Sequence, residues 1–230
     1  MKRFFNKIFI ISIITLSFTS CSSSVSSSKV EQRIIFPHYH VLYDANSNSL
    51  MATVTFQTDN ESGEYVKLSK SSKISFNQTS MQLKSDKERP SYYFFEQKGV
   101  ESFPDAAVFE YSNDDEESFI NKLHVKSVVI SDITLQKSGT NTIKYAGKPL
   151  NDDEELMLVL GKDGERIEIQ AEPVDGKMLL IDAASLRSVK PGKYEGYLVR
   201  TFYTTFVNAM DRGGVAETVY HSEIHTIIVK

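Results

Sequence analysis

The sequence predicts an all-β protein, on the period of its apolar residues, the spacing of its turn signals and the scarcity of helical patterning. From Gln32 onward apolar residues recur at every second position, the period of a strand with one buried face. Clusters of Gly, Asn, Asp and Pro interrupt these runs at intervals of roughly 8–12 residues, the rhythm of a sandwich. One segment, "DAASLRSV" (Asp182–Val189), has a helical look.

The strands can be justified in order. In "LMATVTF" (Leu50–Phe56), Leu50, Ala52, Val54 and Phe56 share one face, and Met51, Thr53 and Thr55 share the other. "KISF", "SYYFFEQ", "AAVFEYS" and one long run, "SFINKLHVKSVVI" (Ser118–Ile130), continue the pattern. "NTIKYAG", "ELMLVLG", "ERIEIQA", "KMLLI" and "KYEGYLVRTFYTTF" follow, and "AETVYHSEIHTIIVK" reads as a closing strand. Val, Ile, Thr, Phe and Tyr suit a pleated, half-buried surface. Turns are expected at "DANSNS", "DNESGE", "GKDGE", "VDGK", "KPGK" and "DRGG", where Gly, Asn and Asp tolerate left-handed backbone. Asp182 is placed to cap one or two helical turns that Pro191 ends.

Residues 32–130 and 131–230 each match the roughly 100-residue size of an immunoglobulin-like sandwich. The expectation is therefore two tandem immunoglobulin-like β-sandwich domains, with a boundary at "ISD" (Ile130–Asp132). The pentapeptide "NDDEE" occurs twice, at Asn113–Glu117 and Asn151–Glu155.

The first 31 residues follow other rules. Lys2, Arg3 and Lys7 precede an apolar run from Ile8 to Phe18, the layout of a secretory signal. That run is shorter than the roughly 20 residues a bilayer-spanning helix needs. "FTSC" (Phe18–Cys21), with Phe18 where Leu is usual, resembles the lipobox of bacterial lipoproteins. The resemblance implies removal of residues 1–20 and lipidation of Cys21, the only cysteine. It further implies a cell-envelope location, held by diacylglycerol and palmitate chains. Ser22 is not the Asp that retains such proteins in the inner membrane, so outer membrane is the expectation for a Gram-negative cell. "SSSVSSSK" (Ser22–Lys29) has no apolar periodicity, and residues 21–31 are expected to form a flexible Ser-rich tether. From Cys21 to Lys29 it would reach about 30 Å extended and about 15–18 Å as a coil.

Two longer stretches, "EYVKLSKSSKISFNQTSMQL" (Glu64–Leu83) and "KMLLIDAASLRSVKPGKYEGYLVRT" (Lys177–Thr201), are similar to the Ig-like domains of uncharacterised proteobacterial lipoproteins. No catalytic motif comes with that similarity.

The leader carries three basic residues and no acid, so its removal takes the net charge from −4 to −7. An acidic chain with scattered basic residues is a poor match for nucleic acid. With Cys21 lipidated, the fold has no internal disulfide and depends on its core.

The NDDEE turns are the candidate cation sites, through Asp114, Asp115, Asp152 and Asp153, since calcium takes six to eight oxygen ligands. A solvated acidic turn is the favoured reading, and no cofactor is expected. "DANSNS" starts like an EF-hand but has Ser49 where Gly is required and Thr55 where Glu is required. His38 and His40 would share a strand face about 6–7 Å apart, and His221 and His225 on one strand would stand about 13 Å apart, too far for one ion. There is no GxSxG elbow and no phosphate-binding glycine loop. "YYFF" (Tyr92–Phe95) is the densest aromatic run and the candidate partner-binding patch.

The sequence thus points to a non-catalytic binding or structural module of the cell envelope, held to the membrane by its N-terminal lipid and facing an envelope protein or a surface ligand. The alternatives are an envelope hydrolase whose acids converge only in the fold, and a calcium-stiffened adhesin.

Overall fold

The computed structural model describes residues 24–85, 90–103, 106–151, 153–175, 177–205 and 211–230. The strands of four or more residues, in chain order, are β1 (Ile35–Asp44), β2 (Ser49–Thr58), β3 (Lys73–Phe76), β4 (Tyr92–Lys98), β5 (Ala107–Ser112), β6 (Ser118–Leu123) and β7 (Asn141–Lys144). They continue with β8 (Glu154–Lys162), β9 (Glu165–Asp175), β10 (Met178–Ile181), β11 (Gly192–Thr205), β12 (Val215–His221) and β13 (His225–Val229). The fold is all-β. Helical geometry among the described residues is confined to three 3-10 turns, Ser27–Lys29, Gln32–Ile34 and Ala183–Leu186. The last is the segment expected to be helical, and the Asp182 side chain accepts the Ala184 N–H at 3.2 Å.

A main sheet runs in the order β7-β10-β9-β8-β11-β12-β1-β2-β4 and ends on the short strand Gln82–Lys84. Along that path neighbours are antiparallel except β12 and β1, which run parallel with Val219 opposite Leu42, and off it Ile133–Leu135 runs parallel to β13. The β12–β1 pair joins strands from either side of residues 130–132 into one continuous sheet. The long strand β11 pairs with β8 along one edge and divides its other edge between β13, along Gly192–Gly196, and β12, along Val199–Thr205. Gly196 sits where β13 crowds closest, and a Cβ there would lie 2.3 Å from Ile227 Cγ1.

A second sheet, β6-β5-β3 with Thr79–Ser80, covers one face of β1, β2 and β4. Alternation dictates which side chains meet: Tyr39 lies 4.6 Å from Phe109, Phe56 4.8 Å from Tyr111, and Phe76 5.0 Å from Phe95, ring centre to ring centre. Such tilted aromatic pairs add about 0.5–1.5 kcal/mol each beyond their burial. Further along, Leu156, Leu158, Leu160 and Ile169 pack with Leu179, Ile181, Leu186 and Val189 in the same continuous core.

Three expectations are corrected. The run Ser118–Ile130 is two strands, broken after Leu123, because Lys126 and Ser127 turn aside to contact Glu154 and Arg200. His221 and His225 lie on different strands, because Ser222 leaves the run: its N–H donates to Leu198 O and its Oγ accepts the Leu198 N–H, each at 2.9 Å. The Ser-rich tether does not extend to residue 31. Val25–Ser26 pairs in parallel with Val66–Lys67, and Ser27 is fully buried.

Candidate binding surface

The face of the main sheet turned away from the second sheet carries a separate apolar cluster. Val159, Val199 and Val219 form its centre, packed by Leu42, Met157 and Tyr197. All six come from β8, β11, β12 and β1, so strands of one sheet supply the whole cluster.

Beside it, the strand register lines up a row across five strands. Phe94 on β4 faces Thr53 on β2, Thr53 faces His40 on β1, His40 faces Glu217 on β12, and Glu217 faces Tyr203 on β11. Four inter-strand steps span about 19 Å. Aromatic rings therefore bound a polar centre. His40 Nε2 lies 3.8 Å from Glu217 Oε2, and both side chains are about one-third exposed. Burial pushes His40 below the ordinary histidine range, Glu217 opposes that shift and His38 adds to it. Burial likewise pushes the Tyr203 hydroxyl up to about 12, helped by its hydrogen bond to Glu61 and by the nearby charges of Glu61 and Glu217.

At the far end of β12, Tyr197 and His221 stand with ring centres 5.4 Å apart. With Asp44, Asn46, Ser222 and Ile224 they line a hollow of about 180 Å³. Burial lowers His221, with Asp44 opposing. Asp44 itself closes the expected turn: its Oδ1 accepts the N–H of Asn46 at 2.9 Å, and Asn48 takes a φ of 49°.

The aromatic run Tyr92–Phe95 is divided by the strand period. Tyr93 is buried, its hydroxyl accepting the Leu68 N–H at 2.9 Å, and Phe95 packs on the core. Both are thus corrected from partner-binding candidates to packing residues. Tyr92 and Phe94 point the other way, edge to face at 6.4 Å, and the Lys84 ammonium lies 6.0 Å from the Phe94 ring centre.

The two NDDEE turns each turn one acid inward. Asp114 accepts hydrogen bonds from Ser27 at 2.7 Å, from Ser71 and Ser72 at 2.7 Å, and from Ser69. Partial burial alone would raise its carboxyl, but the four hydroxyls outweigh this and hold it well below the usual carboxylate range. Glu154 is buried against Arg200, with Arg200 Nη2 donating to Oε2 at 2.7 Å and Lys126 Nζ 3.0 Å from Oε1. Burial opposes ionisation there too, and the Arg200, Asn151 and Lys126 donors overcome it, so Glu154 lies low. Asp115 and Asp153 are exposed, and Asp152 lies outside the described residues. Among the described residues no three His, Cys, Asp or Glu side chains are placed to hold a metal ion. No helix among them is long and apolar enough to cross a membrane, and Cys21 lies outside them.

Sequence reasoning missed the Asp114 and Glu154 arrangements and the cross-sheet row. Alternation could have put His40, Thr53 and Phe94 on outward faces, but only the pairing register brings them into line.

Neither a family model nor a curated protein matches the sequence. Among solved structures, the chain is similar to SGBP-B of the Bacteroides ovatus mixed-linkage glucan utilization locus, in complex with a mixed-linkage heptasaccharide (9% identity, TM-score 0.22, covering 80% of this chain and 53% of that one). It is also similar to the extracellular region of plexin A4 (7%, 0.23, 83% and 27%). A third is a Ca²⁺-stabilized adhesin that helps an Antarctic bacterium bind ice (9%, 0.19, 85% and 49%). The chain spans about half or less of each of these longer chains.

Proposed function

We propose that the protein is a non-catalytic binding module of the cell envelope, anchored through lipid on Cys21, which takes its ligand on the open face of the main sheet. The observation that carries the reading is the row Phe94–Thr53–His40–Glu217–Tyr203. Rings about 19 Å apart offer faces on which sugar-like rings stack, and the hydroxyl, imidazole and carboxylate between them suit hydroxyl groups. This surface fits an extended, polyhydroxylated chain laid across the strands.

A second reading is favoured by the neighbouring Leu42, Met157, Val159, Tyr197, Val199 and Val219 cluster. A partly exposed apolar patch rimmed by polar residues also suits a protein partner. Affinity electrophoresis of the solubilised full chain through gels cast with neutral polysaccharides separates the two. Retardation that Phe94→Ala and Tyr203→Ala each reduce supports the glycan reading. Unretarded migration, with cross-links from position 157 or 197 to another envelope protein, supports the second. The absence of both retardation and cross-links would overturn the open face as the working surface.

A further inference from the structure

The serines that read as a linker are built into the fold. Ser27 is fully buried; its Oγ donates to Asp114 Oδ2 at 2.7 Å and accepts the Ser69 N–H at 2.8 Å. Gln32, also buried, donates through Nε2 to Ser27 O at 2.8 Å and to Val30 O at 3.0 Å, while its Oε1 accepts the Asp114 N–H at 3.2 Å. The Val25 N–H donates to Tyr65 O at 2.9 Å, and Val25 and Val30 pack on the main core. Residues 25–32 are thus ordered by the segment Tyr65–Ser72, by one turn, Asn113–Glu117, and by the core under Val25 and Val30. Asp114 ties residues 25–32, that segment and that turn together and is the one carboxylate among their hydroxyls.

We propose that residues 24–34 form a latched strap, that Asp114 is its latch, and that the latch sets how far the protein reaches from the membrane. The reach rests on the reading of Cys21 as the lipidated residue; the latch does not. With the strap docked, three residue steps separate Cys21 from Ser24, a leash of about 10 Å. With the strap released back to Ile35, the leash is fourteen steps, or about 46–50 Å. The strap runs directly into β1, so His40 and the cross-sheet row stand six residues beyond its end, about 20 Å along the strand. A closed latch limits that reach to the shorter leash, and an open one lets the row search several times farther.

Trypsin reads the latch directly, because Lys29 and Arg33 both lie in the strap. Membranes carrying the full-length chain are digested, and release of the body and cleavage after Lys29 are followed by mass spectrometry. Cleavage in an ordered segment tracks the population of its open form. Wild type is expected to be cut there slowly, Asp114→Asn about tenfold faster, and Ser71→Ala, which loses one exposed donor, about two- to threefold faster. Cuts within residues 35–230 should gain much less than the cut after Lys29 does. A Ser27→Cys, Ser72→Cys pair, whose hydroxyls lie 3.5 Å apart in the native chain, should restore resistance to Asp114→Asn until dithiothreitol is added. Equal cleavage after Lys29 in wild type and Asp114→Asn overturns the latch. So does acceleration shared equally by sites across the body, which would make Asp114 a general stability residue. If Asp114→Asn does not accumulate, Ser71→Ala and the disulfide pair decide the matter alone. A chain absent from the membrane fraction sinks the lipid reading, while the cleavage rates still test the latch.

Discussion

At Asn113–Glu117 the acid that turns inward is the second residue of the pentapeptide, Asp114, and it meets four neutral hydroxyls. At Asn151–Glu155 it is the fourth residue, Glu154, and it meets a guanidinium and an ammonium. The local turns begin alike, with the asparagine tied to an acid further on: Asn113 Nδ2 donates to Glu117 Oε2, and the Asn151 N–H donates to Glu154 Oε2, both at 2.8 Å. What differs is depth. The Asp114 side is partly exposed, so neutral hydroxyls suffice to stabilise the anion. The Glu154 and Arg200 side chains are 1% and 2% exposed, and at that depth a charge must be matched by a charge. The same five residues thus serve a hydroxyl clasp in one place and a buried ion pair in the other.

The largest expected effect comes from breaking the deeper arrangement. Arg200 also donates through Nη1 to Lys148 O at 2.8 Å and through Nη2 to Pro149 O at 2.9 Å, so it fastens the 148–154 loop to β11. Arg200→Met leaves Glu154 buried without its main partner, and truncating one member of such a pair costs about 3–5 kcal/mol. For a chain of this size that is a fall of roughly 6–20 °C in melting temperature. Glu154→Leu combined with Arg200→Met should cost less than Arg200→Met alone, because no unpaired charge remains. Calorimetric melts of wild type, Glu154→Leu, Arg200→Met and the double variant check this. A double variant as unstable as the sum of its single variants would show that the carbonyl contacts of Arg200, and not its charge pairing, dominate.

A smaller loss is expected from Asp114→Asn, about 1–3 kcal/mol, since the groups left behind are neutral hydroxyls and not a buried charge. Its diagnostic is the acid limb. Both carboxyls are held low in the folded state, so each adds stability that is fully present above the unfolded-state values near pH 4. That contribution drains away as pH falls toward the folded-state values. Asp114→Asn should therefore flatten the decline in melting temperature between about pH 5 and pH 2 relative to wild type. An unchanged acid limb would mean that Asp114 keeps an ordinary affinity for its proton.

Much of this frame could be read from the chain, and the reasons for the failures are physical. Alternation is local, so β2, β8 and β11 stand where Leu50–Phe56, Glu155–Gly161 and Lys193–Phe206 predict them. The Asp182 cap is equally local. Ser27 looked like linker because composition carries no information about a carboxylate 87 residues away. Which acid of an NDDEE turn goes inward depends on whether hydroxyls or cations wait there, and both sets arrive from distant parts of the chain. The open-face row depends on register, which the parallel β12–β1 pair completes between the first and last parts of the chain.

The smallest expected effect concerns the acids that stay outside, Asp115 and Asp153, which test whether the turns act as calcium sites at all. Each turn has already committed one carboxylate, Asp114 to four hydroxyls and Glu154 to two cations, so a metal would have to compete with donors in place. Asp115 is exposed, and its backbone N–H is used in the turn, donating to Asn113 Oδ1 at 3.0 Å. Calcium takes six to eight oxygens, and one or two solvated carboxylates bind it weakly and in a salt-sensitive way. Asp115→Asn and Asp153→Asn should each change stability by less than about 0.5 kcal/mol. Wild-type melts in millimolar calcium chloride and in EDTA, at matched ionic strength, should agree within a degree or two. A calcium-dependent rise of several degrees that Asp115→Asn abolishes would mean preferential binding to the folded chain by about 1 kcal/mol or more. The turn at Asn113–Glu117 would then hold an ion as well as the strap, and loss of calcium should speed trypsin cleavage after Lys29 as Asp114→Asn does.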